Sequence, residues 1–448
     1  MPLTDMPDIK DIKDTDKVSP GKLKPYPSKL FVEITTKCNL SCGMCVKHNE
    51  EGIEEGDLSR ETFEALVPAL PHIESLVLSG IGEPLTHPHL EEYIKRAKAL
   101  MPAGSWVGFQ TNGMLLDDAR AKALVRAGLD KICISLDSIS EGSFSRIREG
   151  GNIGAVKRAF KALRSAKAER PEQELSIGIE YVLMRDNLAE LPETIRWAAR
   201  HGASYAIVTQ LLPYKKPIAK QAVYDTNTFD AIDIYKGWKA RAKSDGVDLL
   251  EYFDNFIKHY KTDYELKLDD YMKRMKDDAA GRGIALQTEK LLGRDEEWFQ
   301  EVESVYDRVR DISKEEGIDV TLPEIAPRNS RRCEFVETSS VFVSWYGEVH
   351  PCYFLWHRYS CYIGGWEKQV KPWVLGSLND RDILEVWNDP DYLSFRERVV
   401  KYDFPFCFDC NFALCDYAQL EDFEHDCYIA TVPCGACLWC TGLFHCLQ

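Results

Sequence analysis

The 448-residue sequence has no long apolar run. Its first thirty residues contain nothing that reads as a signal peptide, and no stretch reaches the roughly 18 apolar residues of a membrane helix. A cytoplasmic protein with no membrane partner is therefore expected. Positive charge is also scarce: 56 Lys and Arg against 72 Asp and Glu leave a net charge of −16. So acidic a chain has no general attraction for phosphate backbones, which argues against a nucleic-acid partner. Internal repeats and low-complexity tracts are missing, which excludes solenoids and flexible arrays. The ten histidines include no pair with metal-ligand spacing beside the cysteines.

Cysteine is absent over a long middle stretch, between Cys133 and Cys333. Where it occurs, it clusters. Of 15 cysteines, three fall at Cys38, Cys42 and Cys45, Cys133 stands alone, and the remaining eleven lie from Cys333 to Cys446. Cytosolic thiols stay reduced and commonly bind metal or do chemistry. Two candidate metal regions thus flank a metal-free middle. Cys133, in a strand pattern, reads as a buried core thiol.

Residues 29–212 alternate strand-like and helix-like patterns. The strand candidates are 30–35, 74–80, 106–113, 131–137, 175–183 and 205–211, with amphipathic helical patterns between them. Repeated β-then-α units imply a parallel α/β sheet covered by helices, with ligands at the carboxyl ends of the strands. Residues 215–317 are rich in Lys, Asp and Glu with interspersed aromatics, which predicts an insertion of mostly solvated helices. From Cys333 on, periodicity fades into Gly, Pro, aromatic and Cys residues, as in a segment organised by metal. The divisions expected are an extension (1–28), a β/α domain (29–214), a helical insertion (215–320) and a cysteine-rich domain (321–448).

Directly after the first strand, residues 36–46 read TKCNLSCGMCV, a C-x3-C-x2-C spacing. Thiolates are the usual ligands of a four-iron cluster, and three of them leave one iron open to a small molecule. A structural zinc site would want four closed ligands in paired spacings. After the second strand comes SGIGEPL (79–85), where Gly80 and Gly82 permit close backbone approach and Glu83 follows. The third strand ends in Thr111, Asn112 and Gly113, and the fourth in Ser135 and Asp137, with Arg148 eleven residues further on.

These motifs, in this order on a β/α repeat, resemble the radical SAM superfamily. The resemblance implies a partial (β/α)6 TIM-like barrel whose Cys38, Cys42 and Cys45 hold a 4Fe–4S cluster. In that family the open iron chelates S-adenosyl-L-methionine (SAM), and an electron breaks a C–S bond to give a 5′-deoxyadenosyl radical that abstracts hydrogen from substrate. Gly80, Gly82, Glu83, Asn112, Ser135, Asp137 and Arg148 match the positions that contact SAM. A guanidinium fork such as that of Arg148 suits a carboxylate. An external electron donor, flavodoxin or ferredoxin, is implied, as is an anaerobic setting.

The second group reads C-x13-G-x4-C from Cys333 to Cys352. It continues with Cys407, Cys410, Cys415 and Cys427, then Cys434, Cys437, Cys440 and Cys446, with Cys361 the least patterned. It resembles the SPASM extension, which carries one or two auxiliary 4Fe–4S clusters. The spacing of four after Cys410, the late Cys427 and the extra Cys440 depart from the usual pattern. The runs EDFEHDC (421–427), VPCGACLW (432–439) and GLFHC (442–446) resemble the maturases of tungsten-containing aldehyde oxidoreductases. This implies maturation of such an enzyme or its cofactor, with a protein, peptide or cofactor as substrate. Two readings stay open beside it: radical modification of a ribosomally made peptide or protein, and a non-catalytic electron-transfer or scaffold protein. The latter has no need of Glu83, Ser135 or Arg148. No catalytic residue is assigned; Glu33, Gln110, Glu180 and Gln210 are polar positions on barrel strands that read first as internal hydrogen-bond partners.

Overall fold

Apolar residues fill both faces of the first strand, and that is the signature of a strand covered by helices on each side. A computed structural model describes residues 24–48, 53–407 and 425–447. In it the strands β1 (Lys29–Val32), β2 (Ser75–Val77), β3 (Trp106–Thr111), β4 (Lys131–Ser135), β5 (Ser176–Leu183) and β6 (Tyr205–Gln210) run parallel in chain order. The crossovers are the helices Leu90–Lys98, Asp118–Ala127, Ile153–Glu169 and Leu191–Arg200. Short polar side chains start two of them: Asp117 accepts from Arg120 N and Asn152 from Ala155 N. Gly128 ends the first of these two at φ 99°, a left-handed cap that favours glycine. The 60–70 helix breaks after Glu64 into a 3-10 turn, Val67–His72, because Pro68 and Pro71 remove amide donors.

The sheet is larger than six strands. β7 (Asp319–Thr321) joins β6 in parallel, and β8 (Ser340–Val343) joins the far edge beside β1, also in parallel. β9 (Glu348–His350) pairs antiparallel with β8. A separate hairpin follows, β10 (Tyr359–Ile363) and β11 (Trp366–Val370), turning through Gly364 and Gly365, both at positive φ. Finally β12 (Gly376–Ser377) pairs with β9. The result is one open ten-stranded sheet ending at β7 and β12. The partial barrel is as the sequence predicts. Its β8 lay hidden because SVFV, four residues buried on both faces, is too short to show a period.

The charge-rich insertion divides in two. Ile232, Tyr235 and Trp238 of the helix Phe229–Ser244 pack with Leu268, Met272 and Met275 of Asp263–Gly281 in a small core of their own. The helix Glu296–Glu316 behaves differently: Val302, Val305, Tyr306, Val309 and Ile312 form a stripe that joins the main core. Its charges face Arg196 and Arg200 of the neighbouring helix through Glu315 and Glu316. It is a barrel helix, and only its outward face matches the solvated reading. Among the described residues no helix is long and apolar enough to cross a membrane.

Phe342 on β8 is fully buried against Tyr353, Trp356 and His350, so it joins the cysteine-rich segment to the barrel. Phe342→Ala should cost about 3–5 kcal/mol through loss of buried surface and an unfilled cavity. Phe256→Ala, at a site 65% exposed, should stay within about 0.5 kcal/mol. Urea unfolding under reducing, anaerobic conditions measures both.

Candidate functional site

Three loops meet at the carboxyl ends of β1, β2 and β3. The loop after β1 is braced from outside: Thr35 Oγ1 donates to Asp57 Oδ1 (2.7 Å), Thr36 Oγ1 to Glu54 O (2.8 Å), and Gly56 N to Thr36 Oγ1 (2.8 Å). From inside, the loop after β2 is zipped to it by backbone. Gly82 N donates to Thr35 O (3.1 Å) and Glu83 N to Lys37 O (2.7 Å). A Cβ on Gly82 would stand 2.4 Å from Thr35 O and 2.6 Å from Lys37 O, and one on Gly80 would stand 2.3 Å from Glu33 Cγ. The close approach that these glycines permit is thus to the cysteine-bearing loop itself, immediately before Cys38.

Glu83 is buried and already engaged. Its Oε1 accepts from Thr111 Oγ1 (2.6 Å) and Leu85 N (3.1 Å), and its Oε2 from Asn112 N (2.7 Å). Burial pushes its carboxyl above the ordinary value, and these three donors pull the other way. One lone pair of Oε2 is left for a ligand, so the main work of Glu83 is to lock β2 to β3. Thr111, which the sequence reading did not single out as a site residue, is the partner that makes this lock. Asn112 Nδ2 then donates to Asn39 Oδ1 (2.8 Å) and reaches Cys38 Sγ at 3.9 Å.

Asp137 and Arg148 form a buried ion pair, with Arg148 Nε donating to Asp137 Oδ2 at 2.6 Å. Val182 N supplies the other carboxylate oxygen with a donor at 2.8 Å. Asp137 therefore orients Arg148. Among the described residues no hydrogen bond is recorded to the two Nη groups of Arg148, which stay available for an anion. Ser135 lies half-buried at the end of β4, in register with Glu180 on β5.

The first three cysteines are reduced and within electrostatic reach of one another. Burial raises all three thiols, Cys45 to about 11, while Arg148 opposes the rise at Cys42. A bound cation would reverse this penalty, because a coordinating thiol is deprotonated by the metal charge. Among the described residues no three His, Cys, Asp or Glu side chains converge on a point where one ion would sit. Three thiols on one loop are a donor set that suits a four-iron cluster with one iron left open.

Behind the triplet lies a cavity of about 170 Å³, bounded by Met44, Glu180, Gln210, Tyr214, Trp439 and Cys446 among others. Burial raises Glu180 to about 7, with Arg148 and a hydrogen bond from Gln110 opposing. Of the polar strand residues, Glu33 is a structural bridge: it meets His357 Nε2 at 3.0 Å and accepts from Ile81 N at 3.2 Å. Gln210 Nε2 donates to Glu324 O (3.0 Å), and its buried Oε1 has no partner.

In the cysteine-rich segment, Cys333, Cys352, Cys434 and Cys437 lie within electrostatic reach of one another. Cys440 Sγ donates to Cys437 O (3.2 Å), and Cys407 N donates to Gly435 O (2.9 Å). The Arg331 guanidinium donates to Phe404 O and Pro405 O beside this group. Cys427 is exposed, and Cys361 is a core thiol on β10. Cys446 lines one narrow cleft with Cys333, Cys352, Cys437 and Cys440, and Glu180 is a charged neighbour of its thiol. Cys410 and Cys415 lie outside the described residues. Cys133, as expected, is fully buried in the barrel.

Gly82→Ala should destabilise the loop by about 1–3 kcal/mol, since its obstacles are backbone oxygens that cannot rotate away. Gly142→Ala, in a helix with open space around it, should be neutral or mildly stabilising. Thermal unfolding distinguishes them. The raised value of Glu180 means the folded state keeps a proton that the unfolded chain releases between about pH 4.5 and 7. Stability should therefore fall as pH rises through that window. Glu180→Gln should remove the fall, gaining up to about 3 kcal/mol at pH 8 and little at pH 4.5.

Two family models match this chain: the radical SAM superfamily over residues 32–198, and SPASM, an iron–sulfur cluster-binding domain, over 333–411. A tungsten-containing aldehyde ferredoxin oxidoreductase cofactor-modifying protein of Pyrococcus furiosus is 26% identical over 425 residues, covering 93% of this chain and 96% of that protein. A PqqA peptide cyclase of Gluconobacter oxydans is 32% identical over 179 residues, 40% of this chain and 47% of the cyclase. Among solved structures, Streptococcus suis SuiB bound to S-adenosylmethionine aligns with a TM-score of 0.47 at 13% identity, over 83% of this chain and 68% of that one. The first matched region contains Cys38, Cys42 and Cys45 and the second contains Cys333 to Cys410, so the chain carries a radical SAM domain and a SPASM-type iron–sulfur domain.

Proposed function

We propose that Cys38, Cys42 and Cys45 hold a 4Fe–4S cluster that binds SAM, and that the enzyme serves the maturation of a tungsten-containing oxidoreductase or its cofactor. The observation that carries this reading is the zipping of the Gly80–Glu83 loop onto the backbone that leads into Cys38. When bound, the cluster supplies the electron that cleaves SAM to a 5′-deoxyadenosyl radical. The chain's own residues then have defined tasks. Asn112 orients the Cys38 sulfur, and Arg148, aimed by Asp137, offers its Nη edge to the SAM carboxylate. Glu83, with one lone pair of Oε2 left over, would accept from the SAM ammonium, and Ser135 would hydrogen-bond to the ribose. Buried walls keep water from the radical.

Cys333, Cys352, Cys434 and Cys437 are the natural set for one auxiliary cluster, since four thiolates complete one. Cys407, Cys410, Cys415, Cys427, Cys440 and Cys446 are the candidates for a second. The near full-length match to the tungsten cofactor-modifying protein supports the maturation role. The match to a peptide cyclase supports a polypeptide as the alternative substrate. Flavodoxin or ferredoxin would supply electrons, in an anaerobic cytoplasm.

Anaerobic reconstitution should give about twelve irons and twelve sulfides per chain, and 5′-deoxyadenosine under strong reductant. Cys38→Ala, Cys42→Ala and Cys45→Ala should each remove about four irons and abolish deoxyadenosine. Zinc in place of iron, or no SAM cleavage, overturns the reading.

A further inference from the structure

Helix Ile153–Glu169, which leads into β5, carries a cationic outer face. Its inner face packs into the barrel core through Val156, Ala159, Phe160 and Leu163. Lys157, Arg158, Lys161, Arg164 and Lys167 are all exposed. The sequence leaves them no acid of their own helix to pair with, because residues 150–168 hold no Asp or Glu in a chain that has 72 of them. Glu169, at the far end, is held by Lys122 at 2.6 Å. Among the described residues none of the five cations makes an ion pair or a side-chain hydrogen bond. Like charges three and four positions apart, as at 157 and 161, 161 and 164, or 164 and 167, destabilise a helix. The arrangement therefore costs stability that no neighbour on this face offsets.

A second observation places this face beside the first three cysteines. Ser41 N, between Cys38 and Cys42, donates to Glu149 O (3.0 Å). A Cβ on Gly150 would stand 3.4 Å from Leu40 Cδ2, and one on Gly151 would stand 3.6 Å from Leu40 Cδ1. Asn152 then starts the helix by accepting from Ala155 N. The turn that rests on the cysteine loop thus runs straight into the helix, and Lys157 and Arg158 lie in its second turn. The cationic face begins next to that loop and extends away from it along the outside of the barrel.

We propose that the outer face of helix Ile153–Glu169 is the docking surface for an acidic one-electron carrier protein of the flavodoxin class, which rests on the radical SAM reading above. Charge complementarity identifies the partner. A chain of net charge −16 repels an acidic carrier at long range, so productive encounter needs a local cationic face that steers and orients it. Closeness to the cysteine loop selects a redox partner over a nucleic acid, which the same charges would attract. One electron leaves the anionic flavin hydroquinone, which becomes the neutral semiquinone, and enters at the cysteine loop; no bond forms or breaks.

The test drives the reconstituted full-length enzyme in two ways: with a purified flavodoxin reduced by NADPH and its reductase, and with dithionite, which needs no docking. Lys157→Glu, Arg158→Glu and Lys161→Glu combined should raise the flavodoxin concentration for half-maximal 5′-deoxyadenosine formation at least tenfold. The milder pair Lys157→Gln and Lys161→Gln should raise it at least threefold. Both variants should keep the dithionite rate within twofold of wild type. Raising the ionic strength from about 0.01 M to about 0.15 M should weaken the wild-type response to flavodoxin and spare the dithionite rate. Lys236→Glu with Lys243→Glu, exposed on helix Phe229–Ser244, is the charge control and should match wild type. No flavodoxin-driven turnover in the wild type, unchanged flavodoxin dependence in the triple variant, equal losses with both reductants in the milder pair, or a comparable loss in the control each overturns the assignment. Failure of the underlying reading looks different, because dithionite then yields no deoxyadenosine either.

Discussion

Two backbone hydrogen bonds, Gly82 N to Thr35 O and Glu83 N to Lys37 O, set the geometry on which the site depends. They join the loops after β1 and β2 at the point where the chain leaves the sheet to carry three cysteines. Such a junction admits no Cβ, because the opposing atoms are carbonyl oxygens with nowhere to move. One step back, Gly80 lies against the side chain of Glu33, which leaves no room for a Cβ. Once these strand ends are fixed, Glu83 collects Thr111 and Asn112 from β3, and Asn112 in turn reaches Cys38. The order of dependence is backbone first, carboxylate second, sulfur last.

The buried charges follow a common logic. Asp137 with Arg148 is an enclosed ion pair whose desolvation offsets most of its attraction, and Glu33 with His357 is an enclosed hydrogen-bonded pair. Their value is positional. Arg148 is held by a partner that itself accepts from Val182 N, so its free edge cannot swing. Glu33 fastens the cysteine-rich segment to β1 at the level of the Gly80 turn. Loss of either partner would strand a charge in a dry site, which costs far more than the pair contributes.

Much of this was legible in the sequence, and the reasons differ by residue. The six strands and their helices show because parallel strands are continuously apolar and crossover helices strongly amphipathic. Cys38, Cys42 and Cys45 show because three close thiols after a first strand have few other uses. The partners of Glu83 and Asp137 were not legible: a motif gives a residue type at a position and says nothing about which lone pairs are already filled. Helix Glu296–Glu316 was obscured because charge dominates its composition while five residues carry its packing.

The cysteine-rich segment is built into the barrel, and this has a physical consequence. β8 continues the sheet beside β1, His357 pairs with Glu33, and His445 bonds to Thr209 at the end of β6. Two of these attachments are at β1 and the third is at β6, so the segment is held to the barrel at both strands. Phe342, Trp356, Leu443 and Phe444 belong to the same continuous core as Leu30 and Ile179. Thiols carried on such a segment keep a fixed separation from those on the first loop. Electron transfer depends steeply on distance and on the hydrogen bonding and exposure around each cluster. A rigid attachment holds both constant through turnover, which a hinged domain would not. The barrel cavity is accordingly walled by Met44 from the loop of the first three cysteines and by Trp439, Phe444 and Cys446 from the end of the cysteine-rich segment.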